Sequence, residues 1–237
     1  MIILSFDSTA KIASCAVTDG ERMLASYSIN NGLTQSELLM PMAENMLKCL
    51  GMKFDDIEVL ACSVGPGSFT GVRIGAALVK GIAFARGIPC ASVSTIEALA
   101  ENLTGCEGLI VPVMDARRNQ TYTAIFKGTA SGITRVCEDM AISYDELAAM
   151  LAQYPDLPIY LVGDGYDVAM CQLSKTLGAR LAATPPALRD ESAYSVARVA
   201  SRLYAEGKAV SDTELMPTYL RMPQAERERL ERLKNEN

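Results

Sequence analysis

Three stretches of the 237-residue chain set reactive or anion-binding residue types at useful spacings. Asp7-Ser8-Thr9 closes one apolar run, and Asp115-Ala116-Arg117-Arg118 closes another. A carboxylate at a strand end, beside small hydroxyl residues, could carry Mg2+ or approach a phosphate, and arginine could grip that phosphate through its side chain. The same acids also suit plain strand-end turns, because Asp and Ser bond their own backbone there. No second carboxylate pairs with either at short spacing. The third stretch is Gly65 to Gly87, GPGSFTGVRIGAALVKGIAFARG. A Gly-rich turn from a strand into a helix offers backbone N–H groups to anions. It is neither a Walker A loop, since no Gly-Lys-Ser/Thr follows at that spacing, nor GxGxxG. The simpler reading is a tight strand–helix connection whose glycines permit close packing.

The chain contains no histidine. That removes Ser-His-Asp and Cys-His catalysis, HEXXH metallopeptidases and any His-containing zinc site. The formal charge of −6 is the opposite of what a stand-alone nucleic-acid binder usually carries. If the protein serves RNA, something else is expected to do most of the gripping. The seven cysteines are scattered, without a CxxC pair, as in a reducing compartment. No apolar run is expected to span a bilayer, since Arg73 and Lys80 interrupt the best one. The start, MIILSFD, has no basic leader region, so a cytoplasmic location without membrane contact is expected.

These residues need elements to hold them. Apolar patterning predicts strands at 2–6, 13–17 and 23–29 as an antiparallel meander. A helix follows from 34 to about 50, with Thr34 and Glu37 as a capping box and Gly51 as its stop. Residues 58–64 read as a buried strand. Ser68 or Thr70 caps a helix over 72–86, 88–93 is a strand, and Ser94 caps a helix to about Leu103. The second half repeats this with erosion: strands 108–114, 121–126 and 133–143, a helix from Ser143 to about 154, strand 158–162, helix 166–177, a short strand near 179–182 and helix 191–206. Residues 225–237 read as a surface helix or a frayed tail. Helix 72–86 is small or apolar on all sides, which predicts burial on all sides. A sheet covers one side, so the other needs more of the same chain or a partner.

The order βββαβαβα is that of the ribonuclease H-like unit, used twice in the actin, sugar-kinase and Hsp70 ATPase superfamily. The expected fold class is α/β, an actin-like ATPase (ASKHA) fold of two such lobes with mixed sheets flanked by helices. The expected division is an N-terminal lobe 1–104 carrying the partner contact, a smaller lobe 105–211 and a terminal segment 212–237. In that superfamily the phosphates sit between two hairpins, which makes Asp7, Ser8 and Asp115 the candidate nucleotide residues. Arg117 and Arg118 stand where glycine usually admits the phosphate, and Gly163-Asp164-Gly165 could serve as an adenosine loop.

Phe6-Asp7-Ser8-Thr9, the block Gly65 to Gly75, Val93-Ser94-Thr95-Ile96-Glu97-Ala98, Met114-Asp115-Ala116-Arg117-Arg118 and Pro217-Thr218-Tyr219-Leu220-Arg221 occur in this order. Together they resemble the bacterial TsaB (YeaZ) family of tRNA threonylcarbamoyladenosine biosynthesis proteins, over about residues 1–221. The resemblance implies a non-catalytic paralogue of TsaD, the subunit that modifies adenosine 37 of ANN-decoding tRNAs. It implies heterodimerisation with TsaD, joining by TsaE, self-association as a homodimer, and contact with tRNA only through the complex. It implies no catalytic residue, no metal and no cofactor of its own, with ATP or ADP only at a complex interface. Carried over by position, the partner helices are about 35–50 and 71–86, with Leu38, Met42, Met46, Phe69, Val72, Ile74 and Leu78 as contact candidates. Charge at Val72 is then expected to break association before it unfolds the lobe. Many family members have a histidine just before the first helix; here that position is Leu33. The alternative is a stand-alone small-molecule kinase or ATPase of the same superfamily, with Asp7 and Asp115 on Mg2+-nucleotide.

Overall fold

The apolar run Ile2–Asp7 (β1) becomes the middle strand of a five-stranded sheet in the computed structural model, which describes residues 1–221. It pairs antiparallel with Ala13–Asp19 (β2), which pairs with Arg22–Ile29 (β3). On its other side it pairs parallel with Val59–Ser63 (β4), followed by Cys90–Val93 (β5). β1 is buried on both faces, so its apolar residues run without alternation, whereas the edge strand β3 is largely exposed. Helices Gln35–Leu50 (α1) and Phe69–Arg86 (α2) pack on one face, around Phe6, Leu39, Met46, Leu60 and Val79. The cap of α2 is the expected Ser68, whose Oγ accepts from Gly71 N. Thr34 differs: its hydroxyl donates to the Glu37 carboxylate at 2.7 Å, so the reciprocal capping box does not form.

After Thr95–Glu101 (α3) the second half supplies Gly108–Asp115 (β6), Gln120–Thr123 (β7), Phe126–Thr129 (β8), Gly132–Arg135 (β9) and Met140–Ser143 (β10). Helix Tyr144–Leu151 (α4), strand Ile159–Val162 (β11), helix Tyr166–Leu177 (α5) and the two-residue strand Leu181–Ala182 (β12) complete it. The strand order is β10-β7-β6-β11-β12, the same arrangement as β3-β2-β1-β4-β5. The expected repeat is therefore present as topology. Its meander is interrupted: the two continuous strands expected at 121–126 and 133–143 are each broken in two. Between β9 and β10, residues 136–139 bulge opposite the two residues 124–125. The break is filled by Cys137, whose Sγ accepts from Ile125 N, and by Asp139, which accepts from Ser94 and Arg135.

α3 and helix Ala193–Ala205 (α6) do not stay with the sheets nearest to them in sequence. α3 sets Ile96, Leu99 and nearby Leu103 against Ile110, Met114 and Phe126 of the second sheet. α6, which lies in chain order within 105–211, sets Val196, Val199 and Ala200 against Ile3, Val59 and Ala91 of the first. The two helices touch, joined by Arg198–Glu101 at 2.8 Å and Arg202–Glu97 at 2.6 Å. Arg135 of β9 reaches the same Glu97 at 3.1 Å. From Lys208 the chain runs as a strap along the first sheet's edge. Val210 bridges Cys90, Leu215 is fully buried in the first core, and Lys80 Nζ donates to the carbonyls of Thr213 and Leu215. Among the described residues no helix is long and apolar enough to cross a membrane. The charged stretch expected at 225–237 lies outside the described residues.

Candidate functional site: the cleft and the face of helix α2

The glycine block is a packing hub. A Cβ on Gly71 would stand 1.9 Å from Ser8 O, and one on Gly75 2.7 Å from Ser8 Oγ. At Gly67 it would meet Thr9 O at 2.5 Å, and at Gly65 Thr218 O at 2.4 Å. Three separate sequence motifs thus meet at one point: the β1–β2 turn, the loop into α2 and the strap. The loop's amides also serve this purpose. Ser68 N donates to Thr9 O, and Gly71 N to its own cap. The close-packing reading of the glycines holds.

Asp7 and Ser8 belong to that hub, not to an open site. Asp7 is buried, and its oxygens accept from Thr9 N at 2.9 Å, Thr9 Oγ1 at 2.7 Å and Ser63 Oγ at 2.5 Å. Burial pushes its carboxyl up, against those hydrogen bonds. Ser8 Oγ donates to Gly71 O at 2.9 Å. Among the described residues neither lines a cavity with Asp115, so the Asp7–Asp115 pair expected to hold Mg2+-nucleotide does not meet in one pocket.

Asp115 does line one. A cleft of about 910 Å3 opens between the β1–β2 turn, the β6–β7 turn, the start of α5 and the strap. Asp115 Oδ1 accepts from Arg117 N at 2.7 Å, and Asp115 N donates to Asp164 at 3.1 Å. Arg117, Arg118 and Asn119 take φ of 62°, 56° and 58° in succession, a costly run for residues bearing a Cβ. It turns both arginine side chains out at the cleft mouth, where they are exposed. Asp164 lines the cleft and is exposed to solvent; desolvation pushes its carboxyl up, partly offset by the Asp115 amide and by the charge of Lys11. The strap adds Thr218 to Arg221 as a wall that sequence reasoning had tied to the family but given no role. Tyr219 stacks on Phe69 with centroids 5.1 Å apart and accepts from Arg73 Nε at 2.8 Å, while Arg221 donates to Ala116 O at 2.6 Å. Gly163 and Gly165 both pack closely on the Val113 carbonyl of the second sheet, and of the two only Gly165 lines the cleft.

The candidate contact residues divide. Met42, Met46 and Val72 are buried in the first core and offer a partner no surface in this conformation. Leu38, Ile74 and Leu78 are half-buried, and Phe69 is exposed. α2 is not apolar and buried on all sides: Arg73, Ala77, Gly81, Phe84 and Ala85 form an open face. Phe84 is 81% exposed, and a Cβ on Gly81 would meet nothing within 4 Å. Residue spacing alone could not separate these faces, because both sides of the helix are small and apolar.

The family model described as TsaD, tRNA N6-adenosine threonylcarbamoyltransferase, matches residues 34–229. The tRNA threonylcarbamoyladenosine biosynthesis protein TsaB of Bacillus subtilis (strain 168) is 29% identical over 226 residues, 95% of this chain and 96% of that protein. The protein of the same name from Escherichia coli (strain K12) is 29% identical over 223 residues, 93% of this chain and 95% of that one. The chain belongs to the TsaD family, in its TsaB (YeaZ) branch. The fold agrees: YeaZ from Pseudomonas aeruginosa superposes with a TM-score of 0.75 at 22% identity, covering 92% of this chain and 99% of that one. The two ribonuclease H-like sheets make the fold actin-like. Among the described residues of this TsaB-branch chain, no three His, Cys, Asp or Glu side chains gather into a group that could hold a metal ion.

Proposed function

We propose that the chain is a non-catalytic scaffold subunit for threonylcarbamoyladenosine formation at position 37 of ANN-decoding tRNAs. It acts by binding and activating TsaD, together with TsaE, and works in the cytoplasm. Nucleotide enters this reading only at an interface with those partners.

The observation that carries the reading is the open face of α2 in a chain related end to end to TsaB proteins. An exposed glycine inside a helix costs roughly 1 kcal/mol against alanine. Nothing among the described residues needs Gly81 to lack a side chain. Together with Ala77, Ala85 and the exposed Phe84 ring it suits a second helix approaching closely. A second copy of the chain would use the same face when the partner is absent.

The test is light scattering of the pure protein, alone and mixed with TsaD from the same organism. The expected result is a concentration-dependent homodimer that converts to a heterodimer, and Ala77→Arg should weaken both. A monomer indifferent to TsaD would sink the proposal.

A further inference from the structure

The cleft is cationic in an acidic molecule. Lys11, Arg117, Arg118 and Arg221 line it, against the two carboxylates of Asp115 and Asp164. The chain as a whole carries −6. Among the described residues Arg117 is the one of these four with a carboxylate in ion-pair range, at 3.7 Å from Asp115. The cations stand on three different walls: Lys11 on the β1–β2 turn, Arg117 and Arg118 on the β6–β7 turn, and Arg221 on the strap. Aromatic groups alternate with them. The Phe69–Tyr219 pair, tilted 35° to each other and with Arg73 3.7 Å over the Phe69 ring, forms one side, and Tyr122, with Arg221 5.9 Å above its ring, another.

Cations tracking a groove with ring faces between them are what unpaired nucleic acid requires, phosphates on the charges and bases on the rings. The two carboxylates would repel a compact polyphosphate. They accept hydrogen bonds, and so they suit a ribose hydroxyl or an exocyclic amine. A duplex shows its bases only edge-on and could not stack here.

We infer that the interlobe cleft is a binding site for unpaired nucleotides of an RNA strand, held by Lys11, Arg118 and Arg221 and stacked on Tyr219 and Tyr122. The identity of that RNA, a tRNA loop, rests on the function proposed above. The overall negative charge makes binding by the isolated chain weak, so the cleft positions an RNA that the complex retains.

The experiment is fluorescence anisotropy with a labelled single strand of about six ribonucleotides, matched to typical single-strand site sizes. The same strand as DNA, an RNA duplex and Mg-ATP serve as competitors, and salt is varied. The expected result is binding that weakens as salt rises, prefers RNA to DNA, and resists duplex and Mg-ATP. Arg118→Glu and Lys11→Glu should each weaken it by about tenfold or more, and Tyr219→Ala by about tenfold. No binding by the wild-type chain, or binding unchanged in both charge-reversal variants, overturns the inference. Displacement by Mg-ATP at equal concentration overturns it in favour of a mononucleotide site. Light scattering of the same variants with TsaD separates the two readings. Arg118→Glu should still associate, so a lost cleft with intact association leaves the scaffold role standing, and lost association in the wild type is the scaffold role's own failure.

Discussion

At Gly71, a single missing methyl decides whether α2 can reach the β1–β2 turn. The space for a Cβ is already taken by the Ser8 carbonyl at 1.9 Å, and backbone cannot swing aside as a side chain can. Gly71→Ala should therefore destabilise the chain by about 3 kcal/mol, at the upper end of overpacking costs, read as a lowered urea midpoint. Glu191 is the opposite kind of residue, present at a cost. It is buried, its Oε1 has no hydrogen-bond partner among the described residues, and burial with Asp7 and Asp164 nearby pushes its carboxyl well above the usual value of 4.5. A native group that holds its proton more tightly than the unfolded chain favours folding at low pH, and that advantage is lost as pH rises through the native value. Glu191→Gln should thus raise Tm at pH 8, with the gain shrinking toward pH 4.5. A constant offset across that range would contradict the account. Sequence reading singled out the glycines and Asp7 but not Glu191, and could not assign their neighbours. Ser8 meets Gly71 and Gly75, Asp7 meets Ser63, and Glu191 falls near Asp7, each across a long stretch of chain.

Helix α2 shows what an element's pattern conceals. Its ends were legible, because Ser68 caps it and Gly87 closes it in the left-handed conformation. Its faces were not, because Val72 on the buried side and Ala77 on the open side are both small and apolar. The consequence for mutagenesis is a reversal. Val72→Asp places a charge at a position 1% exposed and should unfold the first lobe, seen as loss of near-UV circular dichroism. Ala77→Arg should leave the monomer's stability within about 0.5 kcal/mol of the parent while weakening self-association in sedimentation. Gly81→Ala should raise monomer stability by roughly 1 kcal/mol and still impair association, a pairing of effects that a purely structural glycine would not give. The second meander was legible as strands but not as broken strands. The break depends on Cys137 and Asp139 finding Ile125, Arg135 and Ser94, and no period-two pattern encodes that.

The two halves of the molecule share one strand order, and this was readable from the succession of elements because each half begins with the same meander. The exchange of α3 and α6 was not, since the apolar residues of a helix carry no label for the sheet they will cover. It makes the halves interdependent. A fragment ending at residue 104 keeps β1–β5 but loses the helix over one face of that sheet, and leaves Ile96 and Leu99 without Ile110 and Met114. Such a fragment should melt without a cooperative transition in calorimetry, whereas the full chain should unfold in one step.

Ser5 of β1 donates its hydroxyl to the carbonyl of Ala193, 188 residues further on, and Ser14 accepts from the amide of that same residue. On a ribosome adding about 5–20 residues per second, the strand made first waits on the order of 10–40 s for the helix that covers it. From the completion of β5 until α6 emerges, Ile3, Val59 and Ala91 have no helix to cover them. A nascent chain stalled between β5 and α6 should therefore crosslink to holding chaperones more than one released after α6, and synonymous slowing of translation in that stretch should lower the yield of folded protein.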